Sequence, residues 1–93
     1  MIKFTLYSRS YCHLCDDMLA ALHALNIVEA HTVSVVDVDA DESLLARYDE
    51  LVPVLVASKS AQPARQLCHY FLDEAAVRTF VAHADSGADG DEV

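Results

Sequence analysis

The segment Cys12-His13-Leu14-Cys15 places two thiols two residues apart, a spacing that serves either dithiol–disulfide chemistry or ligation of a soft metal ion. Four-coordinate zinc usually needs a second close ligand pair. The remaining cysteine, Cys68, has only the adjacent His69 beside it, and neighbouring residues of a strand point to opposite faces. A zinc or iron–sulfur module built on Cys12, Cys15 and one of Cys68 and His69 is therefore the secondary reading, and no metal ligand is assigned. The dithiol reading requires the pair to follow a strand and to open a helix.

The flanking residues supply that context. Ile2, Phe4 and Leu6 alternate with Lys3, Thr5 and Tyr7, the period of a strand. Leu14, Met18, Leu19, Leu22 and Leu25 then recur at helical spacing, with Asn26 as a stop. Cys12 accordingly falls at a helix N-terminus, where unpaired N–H groups and the positive end of the dipole stabilise a thiolate, the nucleophilic form of the thiol. Cys15, one turn on, is placed to attack a mixed disulfide on Cys12 and release the reduced substrate. His13 lies between them, able as imidazolium to favour a thiolate and as neutral imidazole to accept a proton. Arg9 is a candidate for lowering the Cys12 pKa or meeting an anionic substrate, whereas Asp16 and Asp17 favour the helix terminus but oppose a nearby thiolate. Cys68 reads as a structural cysteine.

The remaining elements follow in order. His31 to Val38 is valine-rich and nearly continuous, which predicts a strand covered on both faces. Asp39 or Asp41 caps a short helix carrying Leu44, Leu45 and Tyr48; Val52-Pro53 leads into a third strand over Val54 to Ala57; Ser58 to Pro63 forms a polar hairpin loop. A fourth strand is expected over Arg65 to His69, and Asp73 caps a closing helix with Ala76, Val77, Phe80 and Val81 inward. The order β-α-β-α-β-β-α makes an α/β domain over residues 1–84. Its first unit gives a parallel pair, and the later hairpin adds antiparallel strands. Asp85, Asp89, Asp91 and Glu92 among Gly87 and Gly90 predict a disordered acidic tail over 85–93.

Composition bounds the function. A chain of 93 residues with 54% hydrophobic and 23% charged residues has room for one modest core. No stretch approaches the roughly 18 apolar residues of a membrane span, and no signal sequence opens the chain, so a cytoplasmic location without membrane partners is expected. A formal charge of -9 repels phosphate backbones, which argues against nucleic acid as a partner. Three cysteines are too few for a secreted disulfide framework.

The element order, Cys12-His13-Leu14-Cys15 after the first strand and Leu51-Val52-Pro53 before the third resemble the thioredoxin superfamily over nearly all of residues 1–84. The run Leu6-Tyr7-Ser8-Arg9-Ser10-Tyr11-Cys12-His13-Leu14-Cys15-Asp16 is most similar to a bacterial family of small glutaredoxin-like proteins. The resemblance implies a thioredoxin fold, a four-stranded mixed sheet flanked by three helices. It also implies a thiol-disulfide oxidoreductase with Cys12 as nucleophile and Cys15 as resolving thiol. Pro53 would be cis and face the cysteines, and the backbone of Val52 would pair with substrate. The implied partners are a protein disulfide or glutathionylated protein, and a reductant such as glutathione or a thioredoxin-reductase-type system; no tightly bound cofactor is implied. The glutathione-binding motif is incomplete. Glutaredoxins carry Pro-Tyr between the cysteines, Thr-Val-Pro, and Gly-Gly before an acidic residue; this chain has His13-Leu14, Leu51-Val52-Pro53, and Cys68-His69-Tyr70-Phe71 before Asp73. The buried carboxylate of thioredoxins has no counterpart in residues 1–11. A catalytically silent thioredoxin-like adaptor is the third reading.

Overall fold

The computed structural model describes residues 1–10, 12–59 and 62–82. Strand β1 (Ile2–Ser8) leads into helix α1 (His13–Ala24), and β2 (His31–Asp37) passes through a 3₁₀ turn, Val38–Ala40, into α2 (Glu42–Tyr48). The hairpin β3 (Val54–Lys59) and β4 (Arg65–His69) precedes α3 (Glu74–Ala82). The strands form one sheet in the order β2-β1-β3-β4. β1 runs parallel to β2 and antiparallel to β3, and β3 is antiparallel to β4. This is the expected α/β architecture of three helices and a four-stranded mixed sheet. The predicted tail over 85–93 lies outside the described residues.

The alternation of β1 sends Ile2, Phe4 and Leu6 into one core, together with Met18, Leu22, Leu55, Ala57 and Val77. A second cluster on Val38, Tyr48, Val54 and Val56 takes in Tyr7, whose ring stacks on Tyr48 at 4.6 Å. Three expectations are corrected. The valine-rich strand β2 is an edge strand with no fully buried residue, and its Val35 is 54% exposed. The strand covered on both faces is β3, which sits inside the sheet and has five of its six residues buried. The crossover through α1 brings β2 to the outer side of β1, an edge position that composition cannot see. The inner stripe of α1 also differs: Leu14 is exposed, and Cys15 takes its place with Met18 and Leu22, at spacings of three and four residues. β3 runs two residues beyond its expected end, so Ser58 and Lys59 are strand rather than loop.

Local signals close the helices. Asn26 adopts a left-handed φ of 53° directly after Leu25, the C-cap of α1, a conformation asparagine tolerates better than most residues. Asp73 caps α3, its carboxylate accepting the Ala76 N–H at 3.0 Å. For α2 the cap is Asp41 rather than Asp39. Its carboxylate accepts the Ser43 and Leu44 N–H groups and the Ser43 hydroxyl, and the Ser43 hydroxyl is the main cause holding its pKa below the ordinary 3.8. A carboxylate whose pKa is lowered by folding contributes stability that is present above its unfolded value and lost as pH falls through its folded value. Asp41→Ala should therefore lower the thermal midpoint near neutral pH, and the gap to the parent protein should shrink once the pH falls below about 3.8. Thermal melts of both proteins from pH 7 to pH 3 check this.

Candidate redox site

Strand register brings the two sequence motifs to one end of the sheet. Ser8 pairs with Asp37 and Tyr7 with Val54. Cys12 therefore leaves the C-terminal end of β1 where Pro53 enters β3. Cys12 is the N-cap of α1, with extended backbone (φ -105°, ψ 104°), and its carbonyl accepts the Asp16 N–H at 3.3 Å. The Cys12 Sγ accepts the Cys15 backbone N–H at 3.2 Å. The cap position usually belongs to Ser, Thr, Asp or Asn, whose oxygen accepts this bond; here a sulfur accepts it. Cys12 and Cys15 are joined as a disulfide, with Cα atoms 5.2 Å apart. Cys12 is half-buried, whereas Cys15 is 4% exposed and packs inward. Cys12 thus keeps part of its surface in solvent, whereas Cys15 is sheltered.

The other predicted residues surround this pair unequally. His13 and Leu14 are exposed on the first turn of α1. Arg9 is held by Asp39, through Nε at 3.2 Å and a terminal guanidinium nitrogen at 3.0 Å. Its charge is thereby committed to a carboxylate thirty residues away. Pro53 is buried, the Val52–Pro53 peptide bond is cis, and the Val52 N–H is donated to the Tyr48 carbonyl at 3.1 Å. Tyr70 is a residue that sequence reasoning passed over. Its backbone N–H is donated to the Pro53 carbonyl at 2.9 Å, and its hydroxyl to the Glu50 carbonyl at 2.6 Å. It therefore ties the segment around Pro53 to the end of β4. It does so with φ at 66°, a region costly for a side chain of this size. Its position directly after the fourth strand, where glutaredoxins place their glycine pair, was the only available signal.

The sequence matches the glutaredoxin-like domain (DUF836) over residues 3–82. The chain belongs to this family. Among solved structures, this glutaredoxin-like chain is similar to protein Ne2328 from Nitrosomonas europaea, with 35% identity and a TM-score of 0.73 over 85% of this chain and 89% of that one. It is also similar to protein XcR50 from X. campestris, with 29% identity and a TM-score of 0.54 over 84% and 93% of the two chains. Thioredoxin from Fasciola hepatica shares the fold, with 22% identity and a TM-score of 0.60 over 86% and 77% of the two chains. No curated protein matches the chain.

Cys68 of the glutaredoxin-like domain stands apart from the pair. It is half-buried on β4, paired with Leu55 of β3. Burial pushes its thiol pKa up, outweighing a hydrogen bond from the Asp73 backbone, and the Asp73 carboxylate adds to the rise. Because the thiolate is the reactive form, Cys68 should alkylate more slowly than Cys12 when the reduced protein meets iodoacetamide at pH 7.5. Peptide mapping of the time course checks that order. Among the described residues no group of three or more His, Cys, Asp and Glu side chains is arranged to hold a metal ion. No helix among them is long and apolar enough to cross a membrane.

Proposed function

We propose that the chain is a thiol-disulfide oxidoreductase in which Cys12 attacks and Cys15 resolves. The observation that carries this reading is the asymmetry of one bonded pair. The Cys12 sulfur occupies a helix cap and already receives a backbone N–H, while Cys15, its bonded partner, is a buried residue. In the reduced protein the Cys15 N–H and the positive end of α1 stabilise a Cys12 thiolate. That thiolate attacks one sulfur of a substrate disulfide. The S–S bond breaks, the departing thiolate takes a proton from water, and a mixed disulfide forms on Cys12. The Cys15 thiolate then attacks the Cys12 sulfur, and the second substrate thiolate leaves. Two electrons have moved from the dithiol to the substrate, and the protein ends as the Cys12–Cys15 disulfide.

His13, exposed beside the pair, is the group placed to exchange the proton. Pro53 and Val52 form the wall against which an extended substrate segment lies, and Tyr70 holds that wall in place. Arg9, bound to Asp39 at the end of β1, is assigned no contact with the sulfur or the substrate. Regeneration takes two electrons from a dithiol or from two molecules of a monothiol such as glutathione, as in a reducing cytoplasm. Titration in defined redox buffers tests the reading. A reversible two-electron Cys12–Cys15 couple is expected between about -120 and -300 mV, the span of known exchange proteins and pools. If no such disulfide forms anywhere in that window, the reading fails.

A further inference from the structure

Among the described residues the charges are sorted along the strand direction. Ten of the eleven Asp and Glu residues among the described residues lie at the end of the sheet that carries Cys12, and only Glu29 lies at the other. The sorting follows from topology. The first turn of α1 brings Asp16 and Asp17 directly after Cys12. The segment 37–53 joins the sheet at that same end on both sides, through Asp37 beside Ser8 and Val54 beside Tyr7. It carries six carboxylates, Asp49 and Glu50 immediately before the Pro53 strand entry. The turn after β4 adds Asp73 and Glu74, since His69 pairs with Val54.

The cations are sorted the opposite way. Lys3, Lys59 and Arg65 occupy the far ends of β1, β3 and β4, while Arg78, one turn into α3, is paired with Glu74 at 2.7 Å and also reaches the Leu25 carbonyl. Only Arg9 and Arg47 share the cysteine end, and Arg9 is taken up by Asp39. Exposed Leu14 and Phe71 lie at this end too, apolar contacts suited to a polypeptide rather than to a small charged thiol.

A field of one sign around a reacting group raises the local concentration and encounter rate of oppositely charged substrates and depresses those of like charge. We propose that the cysteine end selects, for exchange at Cys12–Cys15, a disulfide carried on a Lys- and Arg-rich polypeptide segment, and disfavours small anionic disulfides such as that of glutathione. The inference rests on the redox reading above. The carboxylates are not a binding site of their own; they set which disulfide reaches the sulfur.

The test uses the fully reduced protein and two synthetic peptides with the same disulfide, one flanked by lysines and one by glutamates. Each rate of disulfide reduction is normalised to the same peptide's rate with neutral mercaptoethanol. At about 10 mM ionic strength the lysine peptide should react about tenfold faster or more, and the ratio should shrink severalfold at about 1 M, where screening reaches only about 3 Å. Asp49→Asn/Glu50→Gln should lower the low-salt ratio about twofold. Equal normalised rates, a preference for the glutamate peptide, or a ratio indifferent to both salt and the double variant overturns the selection while leaving the exchange chemistry in place. If neither peptide is reduced, the redox reading falls and takes this inference with it.

Discussion

Cys12→Ser abolishes turnover of a disulfide substrate, down to the rate of the uncatalysed reagents, while Cys68→Ser leaves it within about twofold. The difference follows from where the three sulfurs sit. A serine hydroxyl keeps the capping bond from the Cys15 N–H, so α1 and the fold survive, but it is not a thiolate and forms no mixed disulfide. Cys15 cannot substitute, because it is 4% exposed and turned into the core beside Met18 and Leu22. Cys68 keeps its proton through burial and lies on β4 rather than at the cap of α1. Turnover assays on the three proteins, each first checked by circular dichroism, decide the matter. Substantial activity in Cys12→Ser contradicts the assignment of the nucleophile.

Phe4→Ala should cost about 3–5 kcal/mol, the largest single loss of stability expected here. Phe4 is 1% exposed in the middle of β1, packs into the main core cluster, and meets the His31 ring edge-on at 5.7 Å. Removing the ring forfeits its transfer free energy and leaves a cavity that a sheet paired on both sides of β1 cannot close. A chain of this length has a total of about 5–14 kcal/mol at 0.05–0.15 kcal/mol per residue. The substitution therefore takes a large share and loosens the strand that delivers Cys12 to its cap. Phe4→Leu should cost less than about 1.5 kcal/mol if the core repacks around it. Urea denaturation measures both, and a Phe4→Ala loss below about 1 kcal/mol contradicts this account of the core.

Much of this was legible in the residues themselves. The alternation from Ile2 to Tyr7, the Cys12 cap, the Asp73 cap and the hairpin before α3 are local signals, and each element formed where its signal lay. What escaped was set by distant partners. Periodicity marks β2 as a strand but says nothing about what lies beside it, so its valines suggested a central position that β3 holds. The phase of α1 was read from leucines, and Cys15 was counted for its chemistry rather than its burial; the helix instead turns Leu14 outward and Cys15 in. Arg9 meets Asp39 across thirty residues, a pairing no local pattern encodes. Tyr70 adopts a backbone conformation normally left to glycine or asparagine, so its side chain gave no warning of the bonds it makes beside Pro53.

The central claim, that the sulfur at the cap of α1 is the one that attacks, is tested most directly with Cys15→Ser. Reduced and mixed with a disulfide peptide, this variant retains an attacking thiol but lacks the resolving one, so the first covalent species should accumulate. Proteolysis and mass spectrometry should find the peptide bonded to Cys12 in nearly all of the adduct. Peptide bonded chiefly to Cys68, or no adduct at all, would contradict it.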